Sequence, residues 1–248
     1  MPQRHVVVTG GGRGIGAATA RKFKELGDRV TLMARSRTEI EKLADEIGAY
    51  AVRADVSDPA SVEAAFMAAG PVDVLVNNAG IVRISALMKT DVRVWEEHLK
   101  VNLTGAFLCS LKVLPGMLSR SRGCIVNVAS IAGLKGVPFL GAYSASKHGL
   151  IGLTRALAAE VGDQGVTVNA VCPSFVDGPL IQQAAISIAE KTGRTPEDVL
   201  NGFRARNPQN RLLEPSEVAE AIVYLVSDAA RGINGAALVI DGGELTAA

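Results

Sequence analysis

Tyr143 and Lys147, in the segment YSASK, are the residues whose types and spacing most clearly suggest chemistry. Residues four apart on a helix lie on the same face, so the phenol and the ammonium would point into one space. Because a nearby cation favours the phenolate, we expect Tyr143 to be closer to ionisation than its ordinary pKa of about 10 implies. Such a tyrosine can pass a proton near neutral pH. Taken alone, the pair could also be two solvated side chains.

Alternating strand and helix patterns would position this pair. Short β-branched runs recur between segments with helical apolar spacing, at residues 5–10, 29–34, 51–56, 72–80, 124–130, 166–171 and 237–243. This alternation predicts an α/β fold in which parallel βαβ units form a doubly wound sheet with helices on both faces. Ligands of such sheets bind beyond the carboxyl ends of the strands.

The length of 248 residues predicts a single domain over residues 1–248. Residues 178–211 contain no strand pattern, only helical patterns at 181–191 and 196–206. We therefore expect an insertion over 178–211 that folds over the site as a lid.

Composition narrows the classes of partner. The chain is 48% apolar and 21% charged with a net charge of +1, which favours a small-molecule ligand over nucleic acid or a membrane. Cys109, Cys124 and Cys172 lie in apolar stretches without Cys-x-x-Cys spacing, so we expect neither a metal site nor disulfides. The first apolar run has only three valines, too short for a signal peptide, which favours the cytoplasm.

A glycine-rich loop, TGGGRGIG, follows the first strand pattern directly. Glycines at this strand-to-helix junction let a pyrophosphate approach the backbone N–H groups and the positive end of the helix dipole. The loop therefore predicts a dinucleotide site. Its candidate residues are Gly10, Gly12, Arg13, Gly14, Ile15 and Gly16.

The end of the second strand pattern bears on which dinucleotide binds. NAD sites usually place an acid there to accept from the ribose 2′-OH, whereas this chain has Ala34 and then Arg35. With Arg13 in the loop, the 2′ position would meet guanidinium groups and no carboxylate. This favours NADP. NAD remains possible if both arginines are simply solvated.

Several spaced motifs together resemble the short-chain dehydrogenase/reductase family, over essentially the whole chain. They are TGGGRGIG at 9–16, NNAG at 77–80, VNL at 101–103, VAS at 128–130 and YSASK at 143–147. The resemblance implies a Rossmann fold with a sheet of about seven strands in the order 3-2-1-4-5-6-7.

The resemblance also implies a catalytic tetrad of Asn102, Ser130, Tyr143 and Lys147. A carbonyl that accepts hydride accumulates charge on oxygen, which needs a hydrogen-bond donor and an acid. Ser130 would be the donor and Tyr143 the acid, or the base in the reverse direction. In the family, the lysine favours the phenolate and bonds the nicotinamide ribose, while the asparagine holds a water that relays protons to the lysine.

Further cofactor residues come from the same resemblance. Asp55 and Val56 would contact adenine, Tyr143 and Lys147 would lie at the nicotinamide ribose, and the remaining contacts would come from Asn77, Ala79, Gly80, Pro173 and Val176. Two positions depart from the family pattern. Ser174 replaces a glycine, and Gly178 replaces a threonine that often touches the carboxamide, so we expect the cofactor geometry there to differ from that of the family and the lid to be looser.

The chain looks most like 3-oxoacyl thioester reductases and polyketide ketoreductases, which implies an NADP(H)-dependent oxidoreductase acting on a 3-oxoacyl or 3-hydroxyacyl thioester or another hydrophobic ketone. The expected pocket is mainly apolar: Leu134, Val137, Phe139, Leu140, Leu180, Ile181 and Ala184. Arg204 and Arg206 could meet an acidic carrier or a CoA phosphate. Relatives commonly form homotetramers, so the resemblance implies one here.

Three alternatives share parts of this pattern. An NAD-dependent alcohol dehydrogenase of the same family would have every catalytic residue, and the charge of Arg35 separates it. A non-enzymatic nucleotide sensor would keep the glycine loop but need no tetrad. A halide-releasing relative would lack the cofactor and the lysine, so Lys147 argues against it.

Overall fold

Seven parallel strands form one sheet in the computed structural model, which describes residues 3–246. They are β1 (His5–Thr9), β2 (Arg29–Ala34), β3 (Tyr50–Arg53), β4 (Val74–Asn77), β5 (Gly123–Val128), β6 (Val166–Pro173) and β7 (Ala237–Ile240). Their order is β3-β2-β1-β4-β5-β6-β7, and every neighbouring pair is parallel. The predicted fold class, strand number and strand order are confirmed.

Helices cover both faces of the sheet. They are α1 (Gly14–Glu25), α2 (Arg37–Ile47), α3 (Pro59–Ala69), α4 (Val92–Leu99), α5 (Gly105–Ser119), α6 (Gly141–Val161), α7 (Pro179–Thr192), α8 (Pro196–Arg204) and α9 (Pro215–Leu225). Alternate residues of β1 enter different cores: Val7 packs with residues of α3 and α5, whereas Val6 and Val8 pack with residues of α1, α2 and α9. Burial on both faces explains the almost uninterrupted apolar strand sequences.

Three strands end three residues earlier than their sequence patterns predict, and β1 and β5 end one and two residues earlier. β3 ends at Arg53, and Asp55 then forms a turn in which its Oδ1 accepts from the N–H and hydroxyl of Ser57, both within 2.9 Å. β4 ends at Asn77 and β7 at Ile240. The residues assigned to the strand ends therefore form loops at the carboxyl edge of the sheet.

The run Val92–Ser119 is a continuous helical stretch, long and apolar enough by length and composition to cross a membrane. It comprises α4, a π-helical segment over Lys100–Thr104, and α5. Cys109, Val113 and Met117 on α5 belong to one of the two large cores. These contacts explain its apolar character as that of a core helix.

Helices α7 and α8 agree closely with the helical patterns predicted at 181–191 and 196–206. They bury a small core of their own around Ala185 and Val199. The residues that flank 178–211 are hydrogen-bonded to each other. Asp177 N–H donates to Leu213 O at 2.8 Å, and Leu213 N–H donates to Phe175 O at 2.9 Å. The segment therefore lies beside the carboxyl edge of the sheet, with its two ends next to each other.

Candidate active site

A cleft of about 720 Å³ runs along the carboxyl edge of the sheet. Ser130, Tyr143 and Lys147 line it, in the same cavity as the glycine loop. Most of the residues predicted for a cofactor also line it: Gly10, Gly12, Arg13, Gly14, Ile15, Arg35, Asp55, Val56, Ala79, Gly80, Pro173 and Val176. One cavity therefore joins the predicted nucleotide and catalytic groups.

The glycine loop has the shape of a phosphate cradle. Gly10 and Gly14 have φ of 62° and 53°, and a Cβ on Gly14 would have no atom within 4 Å. Gly14 is also the first residue of α1, whose first turn carries no acidic side chain. Open space, unobstructed N–H groups and a helix N-terminus fit the pyrophosphate of a dinucleotide.

Gly16 and Asn77 do not line the cleft, and both assignments as cofactor ligands need correction. A Cβ on Gly16 would lie 2.3 Å from Gly10 O, so this glycine allows the helix to pack against the loop. Asn77 is buried and its Nδ2 donates to Asn127 Oδ1 at 2.9 Å. Its neighbour Asn78 lines the cleft instead and fastens the loop, with Nδ2 donating to Gly10 O at 2.9 Å. The NNAG motif contains two adjacent asparagines. The cofactor contact was predicted for the first, Asn77, whereas the second, Asn78, lines the cleft.

The wall of the cleft next to the end of β2 carries both positively and negatively charged side chains. Arg13 and Arg35 are exposed there, but Glu39 lines the same wall, with its Oε1 3.7 Å from Arg13 Nη1. The expectation that this wall has no carboxylate is wrong. Glu39 was missed because it lies on α2, where its spacing is that of an ordinary surface acid.

Tyr143 and Ser130 line the same wall of the cleft, and the Ser130 hydroxyl is near enough to the phenol to lower its pKa. Ser130 follows β5, and its Oγ also accepts from Ala132 N–H at 3.1 Å. The ring of His98 packs edge-on to the ring of Tyr143, with centroids 6.5 Å apart. These contacts help to fix the two side chains at the wall of the cleft.

The pKa of Tyr143 differs in direction from the sequence expectation. Burial raises it above its ordinary value, and the nearby Ser130 hydroxyl offsets only part of this effect on the pKa. Lys147 Nζ lies 5.7 Å from the centre of the tyrosine ring and donates to Val128 O at 2.7 Å. Burial also lowers the pKa of Lys147 to about 8. In this structure, desolvation outweighs the attraction between the pair.

Asn102 lies in the π-helical segment and is 1% exposed, outside the lining of the cleft. Its Oδ1 accepts from Ile81 N–H at 2.8 Å, and its Nδ2 donates to Ile81 O and Ser146 Oγ, both at 3.0 Å. A Cβ on Gly80 would lie 3.3 Å from Asn102 Oδ1 and 3.6 Å from Lys147 Nζ, so the two side chains approach the same point. π-Helical turns often occur at functional sites, and no sequence signal had marked this one.

The other half of the cleft is mainly apolar. Of the residues predicted for the substrate, the cleft is lined by Val137, Phe139, Leu140, Leu180, Ile181 and Ala184. Leu134 instead packs in the core with Leu150 and Ile151. Arg206 reaches the cleft, whereas Arg204 is held outside by Glu197 and Asn201, each 2.6 Å from its Nη1.

The two positions that depart from the family pattern have specific partners. Ser174 Oγ donates to the buried carboxylate of Glu244, a cleft residue that no sequence motif had marked. Gly178 has φ of 149°, which is strained for any other residue, and a Cβ there would lie 3.8 Å from Gly14 Cα. A threonine would be strained at this position, so the glycine is required by the path of the chain from β6 to α7.

Comparisons with known proteins agree with this architecture. A family model described as enoyl-(acyl carrier protein) reductase matches residues 10–244. The chain is 41% identical to a putative ketoacyl reductase of the monensin polyketide synthase from Streptomyces virginiae, over 97% of this chain and 96% of the relative.

Two other similar proteins have different names. A cis-4-hydroxycyclohexanecarboxylate dehydrogenase from Sinomonas cyclohexanicum is 41% identical over 97% of this chain and 96% of its own. The solved structure of a single-residue variant of the actinorhodin polyketide ketoreductase with NADPH superposes with a TM-score of 0.93 at 36% identity, covering 99% of this chain and 98% of that chain. The chain belongs to the short-chain dehydrogenase/reductase family of oxidoreductases.

Proposed function

We propose that this protein interconverts a ketone and a secondary alcohol with NADP(H), using Tyr143 as general acid and base. The observation that carries the proposal is that Ser130, Tyr143 and Lys147 line the same cleft as the glycine loop. A dinucleotide bound along the loop would extend from Arg35 towards Pro173, past these three side chains.

The chain's own groups supply the polar part of the reaction. The Ser130 and Tyr143 hydroxyls would both donate to a substrate carbonyl oxygen, and Tyr143 would give up its proton as charge develops there. When bound, the nicotinamide supplies or accepts the hydride. Lys147, fixed by Val128 O, has further N–H groups for the nicotinamide ribose and favours the phenolate when it is charged. Asn102 holds the loop at Ile81 and would order a water beside Lys147.

Contacts along the cleft support NADP as the cofactor. Arg13 and Arg35 would bind the 2′-phosphate, Asp55 and Val56 would contact the adenine, and Ala79 and Gly80 the adenine ribose. The similar actinorhodin ketoreductase was solved with NADPH. Glu39 is the observation that favours the alternative, an NAD-dependent alcohol dehydrogenase, because a carboxylate can accept from a free 2′-OH.

The substrate is a 3-oxoacyl or 3-hydroxyacyl thioester or another hydrophobic ketone in this proposal. The apolar half of the cleft supports it, as does the name of the monensin relative, while the Sinomonas relative is named for an alcohol on a saturated ring. Residues 178–211 would act as the lid, because α7 contributes Leu180 and Ile181 to the wall.

The setting of the enzyme is part of the same proposal. We place it in the cytoplasm as a single-domain chain that forms a homotetramer. Phe107 and Leu111 on α5 are 42% and 47% exposed, and they provide an apolar surface suited to association. Sedimentation of the purified protein tests the number of subunits.

The test follows nicotinamide absorbance with NADPH or NADH and a panel of 3-oxoacyl thioesters and cyclic ketones. Tyr143→Phe should lower kcat about 100- to 10,000-fold with little change in cofactor affinity. Tyr224→Phe is the control, because Tyr224 is exposed on α9. Cofactor binding without turnover of any panel member would instead favour a nucleotide sensor, and full activity of Tyr143→Phe would refute the mechanism.

A further inference from the structure

A buried carboxylate in the substrate half of the cleft gathers three donors from separate parts of the chain. Glu244, with a side chain 4% exposed, accepts from Lys135 Nζ at 3.1 Å and from Arg206 Nε at 3.2 Å through Oε1. Its Oε2 accepts from Ser174 Oγ. Lys135 follows β5, Ser174 follows β6 and Arg206 follows α8. Because both carboxylate oxygens are occupied, Glu244 is suited to position its neighbours.

Arg206 is the neighbour that this arrangement presents to the cleft. Its Nε is held by Glu244, and its guanidinium carbon lies 5.5 Å from the centre of the Phe175 ring, which itself stacks on Phe203 at 4.5 Å. Within residues 3–246, neither Nη atom has a hydrogen-bond partner. The guanidinium is therefore oriented before any ligand arrives and keeps its two outer nitrogens available.

The charges of this cluster do not cancel. Lys135 and Arg206 contribute two positive charges against the one negative charge of Glu244. The nearby carboxylate of Asp241 accepts from the N–H groups of Gly243 and Leu245, within its own turn, and does not line the cleft. An oriented guanidinium beside an apolar wall and excess positive charge are the elements of an anion site.

We propose that Arg206, positioned by Glu244, binds an anionic group of the substrate, a carboxylate or a phosphate, while the substrate carbonyl lies at Tyr143. This inference rests on the proposed ketone reductase activity and refines its substrate class. The substrate would be an oxo acid or an oxoacyl thioester with a phosphate on its carrier arm. The anion and the carbonyl would occupy opposite ends of an apolar spacer.

Two matched substrate pairs separate the sources of the anion. One pair is 4-oxocyclohexanecarboxylate and cyclohexanone, and the other is a 3-oxoacyl thioester of phosphopantetheine and the same thioester of N-acetylcysteamine. Arg206→Gln should raise KM about 10- to 100-fold for the anionic member of the preferred pair, with its kcat and the constants of the neutral member nearly unchanged. Arg204→Gln is the control, because Arg204 has similar exposure but lies outside the cleft.

Glu244→Gln tests the positioning role. It keeps the shape of the side chain and should raise KM for the anionic substrate while leaving kcat for the neutral ketone unchanged. Binding of the non-reacting cyclohexanecarboxylate and of butyl phosphate, measured by calorimetry, should weaken in both Arg206→Gln and Glu244→Gln. Equal effects on charged and neutral substrates, or an unchanged KM, would overturn the inference while leaving the reductase in place. Absence of turnover with every ketone, together with calorimetric binding of the anion, would instead refute the proposed function alone.

Discussion

The burial of Lys147 leads to a prediction about the stability of the protein that can be tested without any substrate. Lys147 is only 4% exposed to solvent, and this burial lowers its pKa from 10.5 to about 8. A shift of this size corresponds to about 3 kcal/mol of unfavourable free energy for the charged lysine in the folded state near neutral pH. The folded protein therefore carries this charge at a cost in stability.

Replacing this residue by methionine removes the charge and keeps most of the volume. The lost bond from Nζ to Val128 O would leave the carbonyl unpaired at a cost of about 1–3 kcal/mol, so at about pH 7 the Lys147→Met variant should match or exceed the wild type by up to about 2 kcal/mol. The pH dependence is the sharper result. Because the lysine binds a proton more weakly in the folded state, the stability of the wild type relative to Lys147→Met should rise as the pH passes from 8 towards 10.5.

Urea unfolding of both proteins measures this difference. Between about pH 7 and about pH 9.5 the wild type should gain about 2 kcal/mol relative to Lys147→Met, while groups common to both proteins largely cancel. Lys42→Met, on the exposed face of α2, is the control because it removes a lysine charge that is not buried. If the curves of the wild type and Lys147→Met stay parallel, the buried-charge argument is refuted.

Two further predictions concern the nucleotide half of the cleft. Arg35→Ala should raise KM for NADPH about 10- to 100-fold and change KM for NADH less than about threefold. Arg37→Ala is the control, because Arg37 lies outside the cleft and its replacement should change neither KM. An equal loss with both cofactors would contradict the role of Arg35 in binding the 2′-phosphate. Gly16→Ala places a Cβ 2.3 Å from Gly10 O, so it should lower the free energy of unfolding by about 1–3 kcal/mol and weaken NADPH binding in titrations. Gly136→Ala is the control, because its Cβ would have no atom within 4 Å and should have little effect on either quantity. Equal behaviour of the two variants would refute the close-packing argument.

The sheet was predictable from sequence because its signal is local and repeated. The five inner strands are short runs rich in β-branched residues and buried on both faces, so the pattern survives without knowledge of tertiary contacts. The strand ends were less predictable, because they depend on particular side chains. Asp55, for example, turns the chain after β3 through its bonds to Ser57, and an apolar pattern does not record such a contact.

The site was predictable where backbone geometry dictates residue type. Gly10 and Gly14 adopt positive φ, and the serine, tyrosine and lysine stand at fixed places on two neighbouring elements. What the sequence could not reveal were contacts between distant residues. Glu244 reaches Lys135 across 109 positions and Ser174 across 70, and neither spacing forms a pattern. The same limit explains the assignment of Asn77, because burial against Asn127 distinguishes it from Asn78.

The two side chains at the centre of the site are held nearer to their neutral forms than the sequence suggested. A cation next to a phenol was expected to favour the phenolate, yet burial raises the pKa of Tyr143 and lowers that of Lys147, so each group resists its own charged form. At neutral pH Tyr143 therefore keeps its proton, the state that an acid needs before a carbonyl oxygen takes up charge. In either direction of the proposed reaction the phenol passes through its phenolate, so lowering the pKa of Tyr143 needs more positive charge near the ring than Lys147 alone provides in this structure.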